Sequence, residues 1–126
     1  MTSEKTALRL VRQAERLVLA DLRNPPAVAA ISQSLGVSDR TLRNVFKRTL
    51  GVSPNQYLRL LRLSRARRAL LSARRPTVTV TDVAIRHGFR ELGRFSVEYR
   101  EMFGECPSAT LRKAVRKPGQ DEYIQG

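Results

Sequence analysis

The chain holds one cysteine, Cys106, and one histidine, His87. A lone cysteine excludes an internal disulfide and a cysteine cluster for zinc, and it suits a reducing, cytoplasmic compartment. Around that single histidine the sequence offers no Ser-His-Asp constellation worth pursuing, and no P-loop or metal-ligand spacing occurs. Catalytic, metal and cofactor sites are therefore not expected, and Cys106, between Glu105 and Pro107, has no activating base in view. No apolar run approaches the length of a membrane span and no signal peptide is visible, so no membrane partner is expected. Acids are scarce too: 11 against 24 Lys plus Arg, a net charge of +13 in 126 residues. Such an excess repels itself in a compact chain unless a polyanion is the partner. Nucleic acid is the first candidate on charge; an anionic membrane surface ranks second and is not the partner expected.

What is present is one domain's worth of chain, or two very small ones, with 41% apolar residues to build a core. The most informative stretch is Gly36-Val37-Ser38-Asp39-Arg40-Thr41-Leu42-Arg43-Asn44-Val45-Phe46-Lys47. Gly36 supplies a helix-ending turn and Ser38 is placed to cap the next helix. Leu42, Val45, Phe46 and Leu50 fall at i, i+3, i+4 and i+8 and are expected to be buried together. Arg40, Arg43, Asn44 and Lys47 then point outward. A helix, a glycine turn and a second helix with hydrogen-bonding side chains on its free face is the logic of a helix-turn-helix.

Along the chain, residues 4–22 read as a helix with a partial stripe of Leu8, Val11, Glu15 and Val18 or Leu19, stopped by Asn24-Pro25-Pro26. A short helix follows over 27–35, with Val28, Ile31 and Leu35 inward. After the helix that ends near Leu50, Gly51-Val52-Ser53-Pro54 is a break and restart. The longest helix runs from Pro54 to about Ser72. Its arginines Arg62, Arg65, Arg67 and Arg68 are expected to be solvated or laid over the core. Thr77-Val78-Thr79-Val80-Thr81 alternates like a strand but has nothing to pair with; it reads as an extended link, with Thr79 or Thr81 capping a helix from about Asp82. A helix over 91–103 carries Phe95, Tyr99 and Phe103 on one face. A last helix is expected over 108–115, and residues 117–126 read as a flexible tail.

The second half repeats the first. Gly36 matches Gly88 at an offset of 52. Beyond the turn the offset is 53: Leu42 with Phe95, Phe46 with Tyr99, Lys47 with Arg100, Leu50 with Phe103, Gly51 with Gly104, Pro54 with Pro107. One extra residue therefore sits in the second turn. The expected fold is all-α, about seven helices in two helix-turn-helix subdomains (4–53 and 77–116) joined by a linker helix (54–73).

The tandem pattern resembles the DNA-binding domain of the AraC/XylS family of bacterial transcription regulators. The resemblance rests on Ala84-x3-Gly88-Phe89-x5-Phe95-x3-Tyr99-x3-Phe103-Gly104-x2-Pro107-Ser108. Support comes from Gly36-Val37-Ser38-x-Arg40-x-Leu42-x3-Phe46-Lys47 and from Tyr57-x5-Leu63-x2-Ala66-x3-Leu70-Leu71. It covers roughly residues 7–114. Ser32 departs from the family's usual Ala, Cys106 from its usual Ser, and Glu91-Leu92-Gly93 from a commonly Ser- and Gln-rich helix start. The resemblance implies double-stranded DNA as partner, RNA polymerase as a candidate partner, and one second helix per unit in successive major-groove segments. It assigns base reading to Arg40, Arg43 and Asn44 in the first unit and to Gly93, Ser96 and Val97 in the second. Phosphate contacts fall to Ser38, Thr41, Lys47, Arg48, Arg90, Arg94 and Arg100. Full family members add an effector-binding or dimerisation domain, which 126 residues do not accommodate. The chain then reads as part of a longer regulator or as a small stand-alone one. Three rivals are a non-specific basic nucleic-acid binder, an enzyme such as a DNA-repair methyltransferase completed by a missing domain, and a protein-interaction bundle.

Overall fold

Hydroxyl side chains start four of the helices. Ser3, Ser38, Ser53 and Thr79 accept from the backbone N–H three residues on, in Thr6, Thr41, Gln56 and Asp82, at 3.0–3.2 Å. Each bond satisfies a donor that the first turn leaves without an intrahelical partner. The computed structural model describes residues 3–116 in full and the backbone alone over 117–125. Its elements are α1 (Glu4–Ala20), α2 (Val28–Leu35), α3 (Asp39–Leu50), α4 (Pro54–Leu71), α5 (Val80–Arg86), α6 (Leu92–Phe103) and α7 (Pro107–Gln125). Among the described residues there is no strand. Thr79, not Thr81, is the cap of α5, which begins two residues before Asp82. That register puts the Asp82 carboxylate in the first turn, where the helix dipole favours it. α7 runs past the expected end at residue 115; the flexible tail expected over 117–126 lies outside the fully described residues.

The chain forms two compact units, Met1–Leu61 and Arg62–Gly126, and the division falls inside α4. The first unit buries Ala7, Leu10, Val11, Ala14 and Val18 of α1 against Ile31 of α2, Leu42, Val45 and Phe46 of α3, and Leu58 of α4. Burial on this scale drives the assembly at roughly 25 cal/mol per Å² of apolar surface. Two expectations change here. Leu8 is 46% exposed and Leu50 38%. On the inner face of α1 the expected Val11 and Val18 are joined by Leu10, Ala7 and Ala14 in place of Leu8, and the two small alanine side chains let the helix sit close to its neighbours. Leu50 is the last residue of α3, so its side of the helix runs out beyond the partners that cover Phe46. The second unit buries Leu63, Ala66, Leu70 and Ala73 with Val83, Ala84, Phe89, Phe95, Tyr99 and Ala114. Leu71, expected on the inner line of α4, is 46% exposed. A chain of tilted rings runs Phe89–Phe95–Tyr99–Phe103, with centroids 4.8, 5.7 and 4.7 Å apart. This is the edge-to-face range in which aromatic quadrupoles attract.

One polar bond fastens α4 within the first unit. The Tyr57 hydroxyl donates to the Glu15 carboxylate at 2.6 Å. That bond, then burial and the nearby negative charge, push the phenol up to about 12. The raised pKa means the unfolded chain loses this proton first, so stability falls as pH rises from about 10 towards 12. Alkaline unfolding followed by helical circular dichroism is expected to show that decline, and Tyr57→Phe is expected to make it shallower.

Candidate nucleic-acid interface

The two helix-turn-helix turns use the same bonds at the repeat offset. In the first, Gly36 N–H donates to Gln33 O (3.2 Å) and Val37 N–H to Ser32 O (3.0 Å). In the second, Gly88 N–H donates to Ile85 O (3.1 Å) and Phe89 N–H to Ala84 O (2.9 Å). This is the Schellman arrangement. It needs a left-handed residue at the turn, which Gly36 (φ 70°) and Gly88 (φ 82°) supply without a Cβ penalty. Gly51 and Gly104 are left-handed as well. The extra residue of the second turn is Arg90, between Phe89 and Glu91, the residue at the start of α6. Glu91 makes no side-chain cap, whereas Ser38 caps α3.

The departure at Ser32 has a structural role. Ser32 is buried, and its hydroxyl lies within hydrogen-bond reach of Ala29 O at 3.1 Å and of the Asp39 carboxylate. The bond to Asp39 joins the body of α2 to the first residue of α3. The matching residue in the second unit is the fully buried Ala84.

On α3, the buried Leu42, Val45 and Phe46 leave Arg40, Arg43, Asn44 and Lys47 exposed on the opposite side. The four lie at i, i+3, i+4 and i+7, one continuous face. Ser38 is exposed but its oxygen is engaged: besides capping, its hydroxyl donates to Thr41 Oγ1 at 3.0 Å. Thr41 itself is half-buried. Arg48 sits to the side, lining a shallow groove with Glu4, Ala7, Leu8 and Thr49. On α6, Gly93, Arg94, Val97 and Arg100 are exposed and Ser96 is half-buried. Val97 is 57% exposed. A Cβ built at Gly93 meets nothing within 4 Å, and its φ is not in the left-handed region, so the fold does not require glycine there. Arg90 is exposed beside the turn. The structure thus brings Arg40, Arg43, Asn44 and Lys47 together on α3, and Gly93, Arg94, Val97 and Arg100 together on α6.

Sequence reasoning missed the part played by Arg62. Its Nη1 donates to His87 O (3.1 Å) and Gly88 O (3.0 Å), and its guanidinium lies 4.6 Å from the Phe89 ring centroid. It therefore satisfies carbonyls that the end of α5 leaves open while stacking on the residue after the turn. An aromatic just after the turn glycine, with arginines on the long helix, is the one signal that pointed to it. Arg67 lies over Phe103 at 5.0 Å. Behind α6, the buried Tyr99 hydroxyl donates to Thr110 Oγ1 at 2.8 Å and Thr110 donates to Glu105. Burial pushes the Tyr99 phenol up. Lys113, 2.7 Å from Glu105, and Thr110 hold that carboxylate below its ordinary range. Cys106 is exposed. Among the described residues no group of His, Cys, Asp and Glu could hold a metal ion, and no helix is long and apolar enough to cross a membrane.

Comparison with known proteins gives a consistent result. A family model described as a helix-turn-helix domain matches residues 31–113. The probable thc operon regulatory protein of Rhodococcus erythropolis is 39% identical over 103 residues, which is 82% of this chain and 31% of that protein. This chain therefore spans about a third of that relative's length. Among solved structures, a probable AraC family transcriptional regulator from Rhodopseudomonas palustris is 37% identical, with a TM-score of 0.74 over 84% of this chain and 97% of that one. An AraC-type transcriptional regulator from Chromobacterium violaceum is 29% identical, with a TM-score of 0.77 over 86% and 94%.

Proposed function

The chain belongs to the AraC-type helix-turn-helix family, and from that membership we propose that it binds double-stranded DNA sequence-specifically and regulates transcription in the cytoplasm. The observation that carries the reading is the face of α3: three cations and an amide, all exposed, on a helix fixed by a capped start and a bonded turn. Arg40 and Arg43 fork onto guanine N7 and O6, and Asn44 onto adenine N7 and N6. Lys47 holds phosphate, with Arg48, Ser38 and Thr41 at the edge of the same contact. The function is binding rather than catalysis, and contact with RNA polymerase belongs to the same proposal.

The second unit reads differently. Its α6 face offers little hydrogen bonding, so it fits by close approach at Gly93, by methyl contact from Val97 beside Ser96, and by phosphate bonds from Arg90, Arg94 and Arg100. Gly93 supports this reading because the fold gains nothing from it. In a helix glycine costs about 0.5–1 kcal/mol relative to alanine. Gly93→Ala is expected to raise thermal stability by up to that amount while lowering DNA affinity. A stabilised variant with unchanged affinity would remove close approach from the reading. Arg100→Ala is expected to weaken binding evenly across sequences and to reduce the slope of log affinity against log salt by about one; titrations at several salt concentrations measure both.

The test of the function itself is selection from a random duplex library by the purified chain, at physiological and at raised salt. Tandem reading gives an enriched asymmetric motif in two blocks about one helical turn, roughly 34 Å, apart. Even recovery of all sequences, with steep salt dependence, would instead establish a non-specific basic binder, a reading the +13 charge also favours.

A further inference from the structure

The outer side of α1 carries a second basic surface that the DNA reading does not use. Lys5, Arg9, Arg12 and Arg16 stand at i, i+4, i+7 and i+11, and all four are exposed. They form one stripe about 17 Å long at 1.5 Å per residue. With Leu8 and Gln13 they line an open groove of ≈ 450 Å³. Leu8, 46% exposed, puts an apolar spot among the cations. None of the four pairs with a carboxylate among the described residues, and both acids of α1, Glu4 and Glu15, fall off the stripe. Like charges three and four residues apart destabilise a helix. The stripe therefore works against α1 until an anion covers it.

Its position says which anion. The buried side of α1 (Leu10, Val11, Ala14, Val18) packs on the buried side of α3 (Leu42, Val45, Phe46). The stripe and the α3 face are thus on opposite sides of a two-helix stack. With helix diameters of 10–12 Å and axes 8–10 Å apart, about 20 Å separates them. A straight duplex seated on α3 does not reach α1's far side. We propose that the α1 stripe is a docking site for an acidic protein segment, one that carries an apolar residue among its carboxylates to meet Leu8, and that it binds while the α3 face holds DNA.

The test uses the whole chain and a synthetic 20-residue acidic peptide, Glu alternating with Ala around a central Leu, labelled for fluorescence anisotropy. Binding is read with the chain free and with it saturated by duplex. Arg9→Ala, Arg12→Ala and Arg16→Ala combined are compared with a charge-matched set, Arg75→Ala, Arg86→Ala and Arg112→Ala. Thermal unfolding confirms that both variants fold. The duplex-bound chain is expected to bind the peptide, with the stripe variant weakened about tenfold and the matched set changed by less than about threefold. Peptide expelled by duplex, or equal effects of the two variant sets, would overturn the proposal. So would a loss of duplex affinity in the stripe variant alone, which would assign the stripe to a second length of DNA. If no duplex binds at all, the function proposed above fails, and the free-chain titration of the two variants still decides the stripe.

Discussion

Replacing Phe46 with alanine is expected to cost about 3–5 kcal/mol of stability, the range for emptying an aromatic site in a packed core. Phe46 is fully buried and comes from the same helix as the reading face. It packs in one cluster with Leu42, Val45 and Leu58, and its ring lies 5.8 Å from that of Tyr57. Small domains hold only about 5–15 kcal/mol in total, so the loss removes a large share of that margin. DNA affinity is expected to fall because the folded fraction falls, with the preferred sequence unchanged in what still binds. Phe46→Leu, which keeps most of the volume, is expected to recover much of the loss. Urea titration gives the stability difference, and selection with the folded fraction gives the preference. A shifted sequence preference in Phe46→Ala would mean that the core sets the reading geometry, not only its population.

Arg43→Ala is expected to do the reverse. Arg43 is exposed near the middle of α3, and alanine is the better helix former, so unfolding should be unchanged or slightly improved. A lost bidentate contact with guanine costs about 1–3 kcal/mol, roughly 5- to 150-fold in affinity for the preferred site. Binding to unrelated sequences should drop far less, so specificity relaxes at one base pair. Arg43→Lys keeps the charge but not the planar fork, and is expected to recover the salt-dependent part of binding without the base preference. Arg40→Ala should relax a different position. Competition titrations against the preferred duplex and single-base variants separate these outcomes.

The punctuation of the fold was legible in the sequence because it is written in residues with one mechanism each. Gly36 and Gly88 are where the turns need a left-handed backbone, and Ser38 and Ser53 are where helices need a cap. The buried faces of α3 and α6 were legible for the same reason: Leu42, Val45 and Phe46, and Phe95 and Tyr99, are large and strictly periodic. α1 was read less well. Val11 and Val18 are buried as expected, but Ala7 and Ala14 share that face, and hydrophobicity gives small residues too little weight to outrank Leu8. α4 has no single stripe, because Leu58 belongs to the first unit's core while Leu63, Ala66 and Leu70 belong to the second unit's. A periodicity search over the whole helix averages the two. The exposed positions proposed to read DNA followed from the register of the buried ones. The bonds of Arg62 and the Ser32–Asp39 link did not, since they join residues 26 and 7 positions apart through geometry that only the fold creates.

The measurement that bears most directly on base reading by α3 replaces each guanine of the selected site, one at a time, with 7-deazaguanine, which removes the N7 acceptor and leaves the pairing intact. Wild type and Arg43→Ala are titrated against the whole set. If Arg43 forks onto guanine, one substitution weakens the wild type by about five-fold or more and has no further effect on Arg43→Ala, the coupling expected of two partners in one contact. If every substitution weakens wild type and variant equally, or none weakens either, Arg43 does not read a guanine N7 and the central claim for this side chain fails.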